Sequence, residues 1–479
     1  MFRKISTFCW VVCAACATHQ ASSSKGVSDA ERDASSSATA DASSGGTSGA
    51  DAGGESGAAG AMHAGSSDAG LPLTAAGAAG RAGASGGAAG KAAVLDAGVG
   101  LDATTDAGTG NDHWTTTWGT ALIEATGDDA RAFDDTTLRQ IVHVSIGGER
   151  VRVRFSNAFG TSALQLQSVH VALRADGAAI DPASDRTVHW HGEDSVTIAP
   201  GQLATSDAVE LALPAFSDLA VSASFAAGTR GETYHNEALQ TSYVSKSSDG
   251  VAAADLSDAA MILQWYFLAA VDVSSPDSTK AVVALGDSIT DGTGTSNDQN
   301  ERWPDVLAKR AADGGKHLGV VNEGYAGNQV LNDDSGGPAA ISRFKRDVLG
   351  NAGITHVIVF EGINDIGARD KSADDIIGGL RNIIDQGHSA GLRVIGSTLT
   401  PDKGSGYYSD EREMTRQKVN QFIRGSGSQF DGVLDCDMVL RDPNQTDQLQ
   451  PSYDSSDHLH PNATGYKALA GAIDLGLFE

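Results

Sequence analysis

Two short segments of this 479-residue chain carry residue types that together could activate a hydroxyl group. The segment 286–290 (GDSIT) places Ser288 directly after the apolar run 281–285, and near the other end of the chain Asp457 and His460 stand three residues apart. A serine hydroxyl is a poor nucleophile until a neighbouring base takes its proton, and a histidine held in one tautomer by a carboxylate can do this. The pattern predicts a nucleophilic serine whose acid and base stand three residues apart near the other end of the chain.

The position of the serine suits this chemistry. A short buried strand over 281–285 that ends in a tight turn would present Ser288 at the carboxyl edge of a sheet, where open α/β sheets place their ligands. A helix that begins at the turn would direct backbone N–H groups toward a developing negative charge.

Four separated blocks resemble those of the GDSL or SGNH hydrolases. In chain order they are 286–288 (GDS), 322–328 (NEGYAGN), 362–365 (GIND) and 457–460 (DHLH). The order is that of the family, and the resemblance covers about residues 277–479.

The resemblance implies a role for five residues of this chain. Ser288 would be the nucleophile, His460 its base and Asp457 the acid of the triad. The oxyanion hole would consist of the N–H groups of Ser288 and Gly327 and the side-chain amide of Asn364. Such donors stabilise the oxyanion that forms when an ester carbonyl is attacked.

Other features of the sequence restrict which further residues, cofactors and partners are expected. Asp287 and Asp365 are predicted to brace their turns rather than to react. No H-E-x-x-H, paired C-x-x-C or P-loop pattern is present in the sequence, so no metal and no cofactor is predicted. The formal net charge of −27 argues against binding to nucleic acid or to anionic lipid by electrostatics.

The N-terminal part predicts export. Residues 1–17 combine a basic start with an apolar stretch too short to span a membrane, as a signal peptide does. The sequence 13–16 (CAAC) resembles a bacterial lipobox with Cys16 as the lipidated residue, so a lipid anchor and free secretion both stay open. Residues 18–111 are rich in Ala, Gly, Ser and Asp and are predicted to be a disordered linker.

Residues 112–275 are predicted to form a β-sandwich-like accessory domain. The alternating runs 140–146 and 151–155 flank Gly147-Gly148, which predicts a hairpin. Further strand-like runs lie at 169–173, 196–198, 209–213 and 219–225. The stretch from Trp114 to Gly160 also resembles the β domain that precedes the hydrolase domain in some secreted bacterial GDSL esterases.

This accessory domain has two possible roles. Four tryptophans could stack on sugar rings, or they could belong to the core of a domain that packs against the catalytic part: Trp114, Trp118, Trp190 and Trp265.

Residues 277–479 alternate between strand and helix patterns. Apolar runs at 320–321, 356–360, 392–399 and 432–434 predict strands, and helical periodicity is found at 376–384, at 414–423 and after Pro461. This predicts a three-layer α/β/α sandwich with a parallel sheet. The resemblance to the SGNH hydrolases implies that this sandwich is flavodoxin-like.

The sequence therefore predicts a secreted or surface-anchored serine esterase that works through an acyl-enzyme. By the resemblance, the favoured substrates are short-chain or acetyl esters of carbohydrates, either small molecules or polysaccharide. A lipase or lysophospholipase acting on longer acyl esters is the alternative, and a non-catalytic surface binding protein is the alternative of another class. The sequence leaves the oligomeric state open.

Overall fold

The computed structural model describes residues 113–333 and 337–479. The predicted signal segment with Cys16 and the predicted linker 18–111 lie outside the described residues. Within the two described ranges, no helix combines the length and the apolar composition that crossing a bilayer requires.

The first part of the described chain is built from β-strands. In chain order these are β1 (His113–Gly119), β2 (Ile123–Glu124), β3 (Thr137–His143), β4 (Gly148–Ser156), β5 (Leu164–Asp176), β6 (Ala179–Ile180), β7 (Arg186–Thr187), β8 (Val196–Ile198), β9 (Leu203–Thr205), β10 (Val209–Leu213), β11 (Asp218–Phe225), β12 (Thr233–His235), β13 (Ser242–Val244), β14 (Ala260–Ile262), β15 (Trp265–Tyr266) and β16 (Leu268–Ser275).

Two antiparallel sheets of this part share one core. The first has the order β1-β16-β4-β10, with β9 also paired to β4, and the second has the order β14-β13-β3-β11-β5-β6, with β7 and β8 paired to β5. Val153 and Val271 from the first sheet join Val171 and Val221 from the second in a single buried cluster. Strands β15, β12 and β2 form a small third sheet. The β-rich, two-sheet character agrees with the sequence prediction.

The predicted hairpin around Gly147-Gly148 is wrong. Strand β3 pairs with β11 and β13 in the second sheet, whereas β4 pairs with β10, β16 and β9 in the first. The glycines serve a close approach of two backbones, because a Cβ on Gly147 would lie 2.3 Å from the carbonyl oxygen of Leu213. The segment between the strands therefore crosses from one sheet to the other.

The four tryptophans proposed for sugar stacking belong to the interior. Their side chains are all buried, and the Trp118 and Trp265 rings meet edge to face with centroids 4.9 Å apart. Stacking on a sugar ring needs an exposed aromatic face, so the structure contradicts that role for these residues and supports the core alternative.

The second part alternates strands and helices. Its strands are β17 (Lys280–Gly286), β18 (Leu318–Gly324), β19 (Ile354–Phe360), β20 (Arg393–Ser397) and β21 (Gly432–Leu434). Its helices are α1 (Ser288–Asp291), α2 (Trp303–Asp313), α3 (Ala340–Asp347), α4 (Ile363–Arg369), α5 (Ala373–Ser389), α6 (Asp410–Arg424), α7 (Cys436–Leu440) and α8 (Ala463–Ala472). The strands form one parallel sheet in the order β18-β17-β19-β20-β21, which is the flavodoxin-like order 2-1-3-4-5.

Helices cover both faces of this sheet. Val282 and Ala284 belong to one buried cluster, whereas Val283 and Leu285 belong to another, as the alternation of side chains along β17 requires. The first cluster includes side chains of α2 and α8, and the second includes side chains of α3, α5 and α6. Both faces of β17 are therefore buried, which explains the unbroken apolar run in its sequence.

The β-rich part and the parallel-sheet part belong to one compact unit. Ser145 Oγ accepts a hydrogen bond from the backbone N–H of Val320 at 3.0 Å, at the start of β18. Arg154 Nη2 donates to Asn351 Oδ1 at 2.8 Å, three residues before β19 begins. The exact boundary at 275–277 stays a prediction from the sequence.

Candidate active site

Three of the four sequence blocks lie at one edge of the parallel sheet. They lie at the carboxyl ends of β17, β18 and β19, which are adjacent strands with β17 in the middle. The backbone carbonyl of Gly286, at the end of β17, accepts the N–H of Tyr325 at 3.2 Å, which ties the first turn to the second. The topology therefore gathers these blocks where parallel sheets place their ligands.

Ser288 is the first residue of helix α1, and its turn is held by the preceding aspartate. Asp287 Oδ1 accepts the N–H of Ile289 at 2.9 Å as the N-cap of this helix. Burial raises the pKa of Asp287 to about 7. The hydrogen bond from Ile289 lets the Asp287 carboxyl group brace the turn, as the sequence predicts. Ser288 itself is only 7% exposed.

Ser288, His460 and Asp457 form a continuous row of hydrogen bonds. Ser288 Oγ lies 2.8 Å from His460 Nε2, and His460 Nδ1 lies 2.6 Å from Asp457 Oδ2. The two ends of this row come from positions 172 residues apart in the chain. The structure thus brings together the three residues that the sequence assigns to the triad.

The Asp457 carboxylate is held by its own loop. Its Oδ1 atom accepts the backbone N–H groups of His460 at 2.8 Å and of Leu459 at 2.9 Å, and the hydroxyl of Ser455 at 3.1 Å. Burial acts to raise the pKa of Asp457, but the hydrogen bond and charge of His460 outweigh it and hold the pKa below its usual range. Asp457 is therefore ionised at neutral pH and can orient the imidazole.

The second and third blocks are joined by a side chain. Asn364 Nδ2 donates to the backbone carbonyl of Asn328 at 2.9 Å, next to Gly327. Gly327 has φ = +81°, a left-handed conformation that favours glycine. Asp365 accepts the N–H groups of Val330 and Leu331 at 2.8 and 3.1 Å, so it braces this loop as the sequence predicts.

The part of the chain that carries the four blocks matches a known protein family. The model of the GDSL-like lipase/acylhydrolase family matches residues 284–468, which include all four blocks. The domain formed by residues 284–468 belongs to the GDSL-like lipase/acylhydrolase family. The protein is accordingly a carboxylic ester hydrolase.

Solved structures of several hydrolases are similar to part of this chain. A GDSL-like lipase from Bacteroides thetaiotaomicron is 19% identical over 43% of this chain and 90% of that chain, with a TM-score of 0.32. A carbohydrate acetylesterase family member from Sinorhizobium meliloti is 17% identical over 40% of this chain and 95% of that chain, with a TM-score of 0.34. The aryl esterase of M. smegmatis is 19% identical over 40% and 96%, also with a TM-score of 0.34. Among curated proteins, no sequence matches the chain.

Arg343 supports the site of the GDSL-like domain, although the sequence gives no indication of this role. Its fully buried guanidinium donates to the carbonyl oxygens of Gly286 at 3.0 Å and Glu323 at 2.8 Å, and to Asn328 Oδ1 at 2.8 Å. One side chain thereby connects the ends of β17 and β18 with the loop of the second block. An arginine on a helix carries no local sequence signal for such contacts.

His235 of the β-rich part reaches the helix that carries Ser288. His235 Nε2 lies 3.1 Å from Asp291 Oδ1, and both side chains are 1% exposed. Beside this pair, Thr293 Oγ1 donates to Glu237 Oε2 at 3.0 Å. The β-rich part therefore contacts the nucleophile helix of the GDSL-like domain through a fully buried pair of side chains.

The surroundings of the His235 ring favour a charged imidazolium. Nδ1 faces the backbone carbonyl of Ala121 at 2.9 Å, whereas Nε2 faces Asp291 and the carbonyl of Glu237 at 3.2 Å. Backbone carbonyls and a carboxylate all accept hydrogen bonds, so a doubly protonated ring satisfies all three contacts at once. Burial acts to lower the pKa of His235, but the Asp291 carboxylate outweighs it and the pKa is raised.

Neither His235 nor its partner was a candidate in the sequence. A single histidine in a strand has no periodic or motif signal, and Asp291 lies 56 residues away. As to metals, the ranges 113–333 and 337–479 contain no group of three or more His, Cys, Asp or Glu side chains that could hold an ion.

Proposed function

We propose that the protein hydrolyses carboxylic esters with Ser288 as the nucleophile, His460 as the general base and Asp457 as the residue that orients the base. The observation that carries this proposal is the row of hydrogen bonds from Ser288 Oγ through the His460 ring to Asp457, with distances of 2.8 and 2.6 Å. This is the arrangement that nucleophile activation requires.

In the first half of the reaction, Ser288 Oγ bonds to the ester carbonyl carbon while its proton passes to His460 Nε2. The tetrahedral intermediate collapses when the alcohol leaves and takes that proton. The second half repeats these steps with water as the nucleophile, and it releases the carboxylic acid and restores the Ser288 hydroxyl.

The negative charge of the intermediate needs hydrogen-bond donors. We propose the N–H groups of Ser288 and Gly327 and the Nδ2 of Asn364 for this role. The amide of Asn364 supports it, because one Nδ2 hydrogen is fixed on the Asn328 carbonyl, which leaves the second available for the oxyanion.

Replacement of Asn364 by alanine tests the oxyanion role. We expect Asn364→Ala to lower kcat roughly 100- to 1000-fold, because one preorganised donor is lost. The measurement is steady-state hydrolysis of nitrophenyl acetate, with circular dichroism to verify the fold. Near wild-type turnover in a folded variant would remove Asn364 from the oxyanion hole.

For the substrate, we propose short-chain esters, with acetyl groups on carbohydrates as the favoured class. This choice rests on the resemblance to secreted bacterial esterases. A series of nitrophenyl esters with acyl chains from two to sixteen carbons tests it, with Ser288→Ala as the control. We expect the highest kcat/KM for acetyl.

The same series separates the alternatives. A preference for long chains would replace the carbohydrate esterase proposal by a lipase or lysophospholipase. Equal and negligible rates for the wild type and Ser288→Ala on every ester would contradict the catalytic role of Ser288.

A further inference from the structure

Tyr407 contacts the side chain proposed for the oxyanion hole, although it belongs to none of the four sequence blocks. It lies in the loop between β20 and α6, and its hydroxyl donates to Asn364 Oδ1 at 3.1 Å. The other end of the Asn364 amide donates to the carbonyl of Asn328 at 2.9 Å. The oxygen and the nitrogen of the Asn364 amide therefore each make a hydrogen bond within the protein.

This pair of contacts fixes which way the amide points. If the Asn364 amide turned over, its oxygen would face the carbonyl oxygen of Asn328, and two acceptors would be placed against each other. The Tyr407 hydroxyl supports the observed orientation by donating to Oδ1. Donation to the oxygen of an amide also polarises its N–H groups, which strengthens the hydrogen bonds that they make.

A glycine in helix α4 makes room for the tyrosine ring. Gly367 follows Asn364 by three residues, and a Cβ on Gly367 would lie 2.0 Å from Cδ2 of Tyr407. Glycine inside a helix is unfavourable relative to alanine, so its presence at position 367 calls for a packing reason. Here the missing side chain lets the ring lie directly on the helix backbone, which brings its hydroxyl to Asn364. The packing of the ring on Gly367 and the hydrogen bond to Asn364 together hold Tyr407 against helix α4.

Side chains of Ser405 and of helix α6 hold the backbone of Tyr407 in place. The N–H of Tyr407 donates to Ser405 Oγ at 3.1 Å, and its carbonyl accepts Arg412 Nη1 at 2.9 Å. The side chain thus approaches Asn364 from a fixed backbone.

We propose that Tyr407 is a positioning residue that orients and polarises the Asn364 amide for the oxyanion. The proposal rests on the proposed function, because it assigns no reaction step to Tyr407 itself. It predicts a loss in kcat with little change in KM, since the oxyanion exists only in the transition state and the intermediate.

The first measurement compares two tyrosines of the same loop. We expect Tyr407→Phe to lower kcat roughly ten-fold, the effect of one neutral hydrogen bond, with KM within about two-fold of the wild type. Tyr408→Phe is the matched control, because its hydroxyl contacts Asp447 Oδ2 at 3.2 Å instead, and we expect kcat within about two-fold of the wild type. Equal kcat values for Tyr407→Phe and the wild type would overturn the proposal.

The decisive measurement combines Tyr407→Phe with Asn364→Ala. If Tyr407 acts through the amide, its replacement should cost nothing further once the amide is gone, so the double variant should match Asn364→Ala in kcat. The same ten-fold loss in both backgrounds would show a structural effect and overturn the proposal. Full activity of Asn364→Ala would instead contradict the oxyanion role in the proposed function, so the two failures are distinguishable.

Gly367→Ala gives an independent test that keeps the hydroxyl. The added methyl should displace the Tyr407 ring and lower kcat about as much as Tyr407→Phe does, and the two changes should not add. An active Gly367→Ala variant together with a slow Tyr407→Phe variant would contradict the packing role of the glycine.

Discussion

Ser288→Ala should reduce kcat for nitrophenyl acetate by at least about 10⁴-fold, because removal of the nucleophile of a catalytic triad abolishes the covalent route. The hydroxyl points at His460 Nε2 and no other change is made to the turn, so the fold should persist. A burst experiment gives a second readout: the wild type should show a rapid first release of nitrophenol, and the variant should show none.

The loop that carries the base provides a matched pair of controls. It contains two Asp–His pairs, in which His460 bonds to Asp457 and to Ser288, whereas the half-exposed His458 pairs with Asp454. We expect His460→Asn to lose activity to about the same extent as Ser288→Ala, and His458→Asn to stay within about three-fold of the wild type. Comparable losses in the two histidine variants would contradict the assignment of His460 as the base.

His235→Gln should lower the free energy of unfolding by about 3–5 kcal/mol, because it leaves the Asp291 carboxylate buried without its cation. The measurement is urea denaturation of the full chain. His388→Gln is the matched control, since His388 and Asp431 form a pair of similar length, 2.9 Å, whose side chains are 39% and 33% exposed. An exposed pair of this kind contributes about 1 kcal/mol or less. Equal losses in the two variants would contradict a special contribution from the buried pair.

The pH dependence of this stability has a defined sign. The pKa of His235 is raised above the value of a free imidazole, about 6.5. The stability that protonation contributes is therefore fully present below about pH 6.5 and is lost as pH rises through the folded-state pKa. The difference in unfolding free energy between the wild type and His235→Gln should be larger at about pH 6 than at about pH 9. A difference that grows with pH would show that the ring is neutral in the folded protein.

The residues of the proposed triad could be predicted because each part of it is local in the chain. Ser288 belongs to a turn of contiguous residues after a strand. The acid and the base belong to one loop, so the spacing between Asp457 and His460 can be read from the sequence. The buried apolar runs likewise predict β17 and β19, since both faces of these strands are covered.

The supporting residues could not be predicted, because their contacts depend on distant parts of the chain. Arg343 contacts Gly286, 57 residues away, and Tyr407 contacts Asn364 from 43 residues away. Neither contact leaves a periodic trace, because each depends on how the loops at one edge of the sheet fold over each other.

The hairpin prediction failed for a different physical reason. Alternation of apolar and polar residues shows which face of a strand is buried, but it does not identify the neighbouring strand. Strands β3 and β4 both direct side chains, such as Val142 and Val153, into the same core from opposite sheets. Their sequences therefore look like two arms of a hairpin although they never pair.

The buried contact between His235 and Asp291 has a consequence for protein engineering. Domains that are joined only by a flexible linker can be fused to unrelated domains, because each of them pairs its own buried charges. In this protein, a chimaera that joined residues 277–479 to an unrelated module would leave the acidic group at the end of the Ser288 helix without its counter-ion. Any such graft has to carry the strand bearing residue 235 along with it, or neutralise position 291 at the same time.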